Sequence, residues 1–374
     1  MSGGVALGPI RTRSNDPMVD LKGTPLNDVL IVMMSAIGDA VHVLPVVSAL
    51  KRHSPDCRIT WVLQPGPASF VQGHPCVDEI LVFHRKQGLS AFREILKELR
   101  GRRFDVLLAF QISIKAGLIT AFSGVPIRLG FDRRRSRDLN FLFTTHRIPS
   151  RPDQHVQDQY FEFLRALDVT DGPVEWNIGP WPDERPAQER FYQEIDRPAL
   201  PLVIATSNPE KDWVPERWAE LCSVLYEEFG LQPVLAGGRS PREVAIEAII
   251  QERARCPVVS TLGIPLRELV GLLDGAALTI SLDTGPMHMS VALGRPVVSL
   301  MGYNNPKRVG PYRRFRDLIV DAYGDPGESY PITRASRRNR MSRITVAAVV
   351  EKVRVWQAKY RSDYGDGLGG RAGR

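Results

Sequence analysis

Cysteine is scarce in this 374-residue chain: Cys57, Cys76, Cys222 and Cys256 lie far apart, with no Cys-x-x-Cys pair and no histidine at zinc-finger spacing. That pattern excludes a disulfide framework and a structural zinc site, and predicts free, buried thiols. Long apolar runs are also missing. No segment reaches the roughly 18 to 20 residues that a membrane-spanning helix needs, and the opening stretch MSGGVALGPIRTRSND has no signal-peptide core. A cytoplasmic protein is expected, with peripheral contact at the inner membrane surface left open. The loop after the first predicted strand, Ser-Ala-Ile-Gly-Asp (35–39), lacks the Gly-x-Gly-x-x-Gly fingerprint, so a nicotinamide cofactor is disfavoured there and no cofactor is expected. No carboxylates cluster at metal spacing, so no metal is expected. The basic runs lack interleaved aromatics, which argues against nucleic acid as a partner.

What is present is a strong alternation. With 43% apolar residues, the chain is long enough for two domains. From Asp28 onwards, β-rich runs alternate with helical patterns: DVLIVMM (28–34), RITWVLQ (58–64), EILVF (79–83), FDVLLAF (104–110) and IRLGF (127–131). The rhythm stops in the Pro-rich stretch GPVEWNIGPWPDERP (172–186) and restarts with LVIATS (202–207), PVLAGG (233–238), PVVSTL (257–262), ALTISLD (277–283) and PVVSLMG (296–302). Two α/β domains of the doubly wound, Rossmann-like class follow, over 27–180 and 181–342, with a cleft between them beyond the carboxyl ends of the strands. Residues 1–26 read as a mobile lead-in, 343–360 as an amphipathic helix capped by Thr345, and 361–374 as a disordered tail.

Three segments carry candidate chemistry. In IVMMSAIGDAVHVLP (31–45) a buried strand feeds a tight loop and a helix, placing Asp39 at the sheet edge that faces the cleft. The same residue can equally be a helix-capping group, and His42 one turn on reads as a packed, satisfied histidine. In TSNPEKDWVPERWAELCSVL (206–225) a polar loop containing Thr206, Ser207 and Lys211 leads into a helix with Pro215 in its first turn. Lys211 is either a phosphate ligand or a solvated surface lysine. In ALTISLDTGPMHMSVALG (277–294) a strand ends at Asp283, and Thr284, Gly285 and Pro286 turn the chain directly into a helix. Close backbone approach at Gly285, the Thr284 hydroxyl and the helix N-terminal amides make an anion cradle within reach of His288.

The net charge is +7, and its arginines cluster in RLGFDRRRSRDLNF (128–141) and RASRRNRMSR (334–343). Arg128, Arg133 and Arg134 are therefore candidates for docking an anionic acceptor, whereas the second run is a candidate for an acidic membrane surface or for solvent.

In order and separation, Ser-Ala-Ile-Gly-Asp with Val-His-Val-Leu-Pro, Glu-Lys-Asp-Trp-Val-Pro-Glu-Arg-Trp, and Asp-Thr-Gly-Pro-Met-His followed by Ala-Leu-Gly-Arg-Pro-Val-Val resemble glycosyltransferase family nine, the lipopolysaccharide heptosyltransferases. The resemblance runs from about Asp28 to about Trp356. It implies a GT-B fold whose final helix packs back towards the first domain, and an inverting, metal-independent transfer of a sugar, heptose from ADP-heptose foremost, onto an anionic glycan or glycolipid. On it, Asp39 corresponds to the general base and Lys211 to the phosphate-binding lysine. Thr206, Ser207, Asp283, Thr284, Gly285 and His288 correspond to the donor site, and Ile264 to a flank of the nucleotide base. GYNNPKRVGPY (302–312) departs from the family's usual turn at that point. Another nucleoside-diphosphate sugar and another glycan, or a binding protein that kept the fold without catalysis, are the competing readings.

Overall fold

A computed structural model describes residues 21–365 together with 367 and 368. Twelve strands form two parallel six-stranded sheets. The first contains β1 (Asp28–Val32), β2 (Arg58–Leu63), β3 (Glu79–Val82), β4 (Val106–Ala109), β5 (Ile127–Gly130) and β6 (His146–Arg147). The second contains β7 (Ala199–Val203), β8 (Gln232–Ala236), β9 (Val259–Ser260), β10 (Thr279–Leu282), β11 (Val297–Met301) and β12 (Ile319–Asp321). Helices cover both: α1 (Ile37–His53), α2 (Pro65–Val71), α3 (Leu89–Leu99), α4 (Ile114–Phe122) and α5 (Val156–Ala166) on the first half, then α6 (Arg185–Gln193), α7 (Pro215–Phe229), α8 (Pro241–Arg253), α9 (Leu266–Gly275), α10 (Gly285–Ala292), α11 (Pro306–Val309) and α12 (Val346–Lys359).

The strand orders, β3-β2-β1-β4-β5-β6 and β12-β11-β10-β7-β8-β9, are one topology used twice. In each half the first strand lies between the second and the fourth, so the chain reverses its winding direction there and opens a crevice at the carboxyl ends. The first strand of each half is almost wholly apolar because helices cover both its faces: Val29 to Val32 of β1 and all of β7 are buried. Together the halves form the GT-B arrangement, two Rossmann-like sheets facing across a cleft.

Between the halves the chain crosses from α5 to α6, and the crossing is pinned. Arg267 of α9 donates to both carboxylate oxygens of Glu184 at 2.7 Å and to the Phe70 carbonyl of α2 at 3.2 Å. Its guanidinium lies over the Trp181 ring, 4.6 Å from the centroid.

Four expectations need correction. The final helix α12 does not turn back to the first domain. Its buried stripe of Val346, Val349, Val350, Val353 and Trp356 packs on α7, β11 and β12 of the second. Lys352 fastens it there by donating to the Asp317 carbonyl at 2.7 Å. The expected lead-in ends earlier than position 26, because Leu21 and Leu26 belong to the core. The expected tail is partly structured: Arg361–Tyr364 form a further helical turn, α13, and the Leu368 amide donates to the Gly275 carbonyl. Residues 1–20, 366 and 369–374 lie outside the described residues. Finally, two edge strands, β6 and β12, are additional to the ten read from sequence. Of the four free cysteines, Cys57 and Cys222 are buried, while Cys76 and Cys256 are half-buried.

Among the described residues no helix is long and apolar enough to cross a membrane.

Candidate active site

The segments that follow β1, β4, β7, β10 and β11 meet at one cleft of about 780 Å³. Asp39, His42, Ser113, Arg135 and Tyr160 line it from the first half; Thr206, Ser207, Lys211, Asp283, Thr284, Gly285, His288, Asn304 and Arg308 line it from the second.

Two helices point their N-termini at this space from opposite halves, α1 and α10, and they pack directly on each other. Glycine makes the approach possible. A Cβ on Gly285 would lie 2.9 Å from Ile37 Cγ2, and a Cβ on Gly38 would lie 2.9 Å from His288 Cδ2. Each N-terminus carries the equivalent of about half a positive charge, so bringing two together favours an anion between them. At α1 the anion is built in, as Asp39. At α10 the N-cap Thr284 makes no side-chain capping bond, so that end is left for something else.

Asp39 is both a cap and a cleft residue. Its Oδ2 accepts from the Ala36 amide at 2.9 Å and its Oδ1 accepts from the Tyr160 hydroxyl at 3.2 Å. Tyr160 keeps its proton, because burial first and the adjoining Asp39 carboxylate second raise its pKa well above the ordinary value. The hydroxyl is therefore a fixed donor that orients the carboxylate.

Lys211 reaches the mouth of α10 and is held there. Its ammonium bonds Asp283 Oδ2 at 2.8 Å and the Asp283 carbonyl at 3.1 Å, and Asn304 Nδ2 donates to the same carboxylate oxygen at 2.7 Å. Thr206 builds the loop that carries this lysine. Its hydroxyl donates to the Asn208 carbonyl at 2.8 Å and its amide donates to Asp212 Oδ1 at 2.8 Å. The Ser207 side chain is exposed beside it.

Behind the carboxylate stand three histidines. The His42 ring lies 4.3 Å from that of His288 and 5.7 Å from that of His155, centroid to centroid. Burial lowers the pKa of all three, with His155 pushed down to about 3 and His288 well below the ordinary value. His288 is thus a neutral ring at the cradle, able to offer a hydrogen bond but not a charge. His42 departs from the expected satisfied core histidine: Nδ1 meets Gln157 Oε1 at 3.1 Å, but Nε2 is buried with no partner.

The arginine expectations fare differently. Arg128, Arg133 and Arg134 do not line the cleft. The Arg128 side chain donates to the carbonyls of Phe143 and Val125, and Arg133 lies over the Phe141 ring at 5.5 Å. Their neighbour Arg135 does reach the cleft, but it is buried in a bidentate pair with Glu162 at 2.6 and 2.8 Å and a close contact with Asp132. Ile264 also lies outside the cleft lining, packed against the core.

Arg308, Tyr160 and Asn304 are among the cleft groups that sequence reasoning missed. Lys211, Arg135, Arg137 and Arg334 each have a carboxylate within ion-pairing distance. Arg308 has no such partner among the described residues, and its Nε is buried without a hydrogen bond. The signal was present in the unusual turn GYNNPKRVGPY, but nothing in the sequence tied that turn to Asp39.

Each arginine of the run 334–343 has a carboxylate partner. Arg337 pairs with Glu328 at 2.6 Å, Arg340 and Arg343 with Asp325 at 2.5 and 2.6 Å, Arg334 with Asp153 at 3.3 Å, and Arg338 with Glu210. Among the described residues no group of three or more His, Cys, Asp or Glu is arranged to hold a metal ion.

The chain is 26% identical over 334 residues to the lipopolysaccharide core heptosyltransferase OpsX of Haemophilus influenzae, covering 87% of this chain and 95% of that one. Its fold matches that of a family 9 glycosyl transferase from Veillonella parvula with a TM-score of 0.76 and 23% identity, over 88% of this chain and 97% of the other. It also matches Escherichia coli heptosyltransferase WaaC, solved with ADP-2-deoxy-2-fluoro heptose, with a TM-score of 0.67 and 21% identity, over 88% and 99%. The sequence model of glycosyltransferase family 9 (heptosyltransferase) matches residues 92–325, and with the twice-used topology and the interdomain cleft this places the chain in that family.

Proposed function

We propose that this glycosyltransferase moves heptose from ADP-heptose onto an anionic glycan of the lipopolysaccharide-core type, with inversion at the anomeric carbon. The observation that carries the reading is the opposition of two groups across one cleft: the Asp39 carboxylate on α1 faces the uncapped start of α10 with Lys211 beside it. The relatives, a lipopolysaccharide core heptosyltransferase and a heptosyltransferase solved with an ADP-heptose analogue, support the choice of sugar and acceptor class.

In this reading the diphosphate of the donor sits at the amides of α10, against the Thr284 hydroxyl and Lys211. The Asp283 carboxylate and Asn304 hold the lysine in place before the donor arrives. An acceptor hydroxyl approaches from the first half. As its oxygen bonds to the anomeric carbon, its proton passes to Asp39, the bond to the diphosphate oxygen breaks, and the electron pair leaves with ADP. Negative charge grows on the diphosphate in the transition state, where fixed N–H donors and cations stabilise it more than they stabilise the ground state. Tyr160 holds the carboxylate in line. Arg308 adds an unpaired positive charge to the cleft where charge develops.

The deciding experiment offers the protein a panel of sugar nucleotides with a deacylated lipopolysaccharide-core oligosaccharide and weighs the product. Addition of one heptosyl residue from ADP-heptose alone is expected. Transfer from a uridine sugar nucleotide instead, or donor binding with no release of nucleoside diphosphate, overturns it. Lys211→Ala should weaken ADP binding measured by calorimetry.

A further inference from the structure

Most large apolar side chains exposed among the described residues gather on one small surface of the first half. Ile114 is 52% exposed, Phe122 68%, Leu139 62% and Leu142 63%. Ile114 and Phe122 begin and end α4, and partly buried Leu118 stands midway between them, so the three follow an i, i+4, i+8 stripe. Leu139 and Leu142 stand on the loop that packs against α4. Asn140 fastens this loop by donating to the Ser113 carbonyl at 3.1 Å, and the Phe143 ring occupies the space that a Cβ on Gly117 would need. The loop tip and the start of α4 are thus held side by side, with their apolar side chains in water.

Scattered exposed leucines are ordinary, but a contiguous set with a charged rim is not. Here the rim is basic. Lys115, Arg133 and Arg134 have no carboxylate within ion-pairing distance among the described residues; Arg137 faces Asp138 at 3.6 Å, both exposed. The other basic run, 334–343, is by contrast matched by acidic partners, so it leaves little charge for an external surface. The position of the patch matters as well. Ser113, Arg137 and Asp138 belong both to this surface and to the lining of the cleft.

We infer that this face, formed by α4 and the 133–142 loop, docks onto the surface of an anionic lipid bilayer and sets the cleft mouth against it. Apolar side chains enter the boundary between headgroups and acyl chains while the arginines meet anionic headgroups. The inference deepens the proposed function: an acceptor glycan carried on a lipid anchor would stand out of the bilayer at the place where the first half opens its side of the cleft. The same face explains why Arg133 and Arg134, basic and exposed, are absent from the cleft itself.

The test is sedimentation of the full chain with vesicles of phosphatidylglycerol and phosphatidylethanolamine, compared with vesicles of phosphatidylcholine alone. Binding to the anionic vesicles is expected, weakening as salt is raised. Leu139→Ser combined with Leu142→Ser and Phe122→Ser should lower it by roughly tenfold or more, and Arg133→Gln combined with Arg134→Gln should lower it and flatten its salt dependence. Arg340→Gln should leave it unchanged. Turnover on a deacylated, water-soluble acceptor should be the same for the apolar triple variant as for the parent, which also shows that the variant folds. Equal vesicle binding by parent and triple variant overturns the inference. So does absence of parental binding, or concentration-dependent self-association abolished by the triple variant, which would assign the face to a second copy. Vesicle binding is read without any donor, so failure of the proposed transfer and failure of the docking face are distinguishable.

Discussion

Asp39→Asn separates two roles that the structure assigns to one side chain. The carboxylate closes the first turn of α1 through the Ala36 amide and receives the Tyr160 hydroxyl. Asparagine has nearly the same shape and keeps an oxygen for the amide, and its NH2 group can face the Tyr160 oxygen if the phenol turns its proton away. The cap therefore survives in weaker, uncharged form. Complete loss of such a cap, as in Asp39→Ala, costs about 0.5–2 kcal/mol, which for a domain of this size moves the melting temperature by about 2–4 °C per kcal/mol. Asparagine should cost less than alanine. Its effect on turnover should be far larger, because an amide cannot accept the acceptor's proton. General-base assistance is typically worth about 10²- to 10⁴-fold, or about 2.7 to 5.4 kcal/mol in the barrier. The assay is single-turnover transfer from a saturating sugar nucleotide, run beside thermal unfolding and ADP calorimetry on the same preparation. Expected is a fall in rate of that order, with ADP affinity unchanged and a small shift in melting temperature. Turnover within about threefold of the parent, with a melting temperature lowered as in Asp39→Ala, would falsify the base assignment and leave Asp39 as a helix cap.

Arg308→Ala should lower kcat/KM by roughly ten- to a hundredfold, in line with loss of a charge-assisted contact worth about 1.5–3 kcal/mol, without lowering the melting temperature, because the side chain has no ion-pair partner to strand; an unchanged kcat/KM removes it from the reaction. Gly285→Ala places a methyl group 2.9 Å from Ile37 Cγ2, so the contact between α1 and α10 must open; about 1–3 kcal/mol of destabilisation is expected, together with weaker ADP binding, and calorimetry with normal affinity contradicts the close approach. Because His42, His155 and His288 bind protons less readily folded than unfolded, stability should be fully present above the unfolded value near 6.5 and fall as pH is lowered from there towards the folded value, about 3 for His155. Each ring contributes up to about 1.4 kcal/mol per pH unit in that window, and denaturant titrations of His155→Gln between pH 7 and 5 should show a shallower slope than the parent; identical slopes place the pH dependence elsewhere.

Much of the fold was legible because its central strands announce themselves. DVLIV, VLLA and VVSLM are buried on both faces, and an unbroken β-rich apolar run has few other readings. The edges were not. His146–Arg147 and Ile319–Asp321 are two and three residues long and make a strand only through their neighbours. Likewise the Val and Trp stripe of α12 identifies the helix and its cap, where the Thr345 hydroxyl accepts from the Ala348 amide, but a stripe of valines does not say which domain it will cover. At the site, residues that begin helices after strands were readable from local pattern, which is how Asp39 and Thr284 were found. Groups positioned by packing between distant segments were not: Tyr160 lies 121 residues from the carboxylate that it orients. The arginine run shows the limit most clearly. Of three successive arginines, 133 to 135, the first two are exposed and only the third is buried, and of the two carboxylates that neutralise it one, Asp132, is local while the other, Glu162, comes from α5.

The glycine-to-helix contact between the halves has a kinematic corollary. A body that swings about a point displaces its far rim widely and the neighbourhood of the point hardly at all. Here the touching place, Gly38 with His288 and Gly285 with Ile37, adjoins the proposed base and the proposed diphosphate seat. Swinging one half about that place would widen the entrance for a bulky glycan while the span between proton acceptor and leaving group stayed nearly constant, so reactant exchange and chemical alignment need not compete for the same motion.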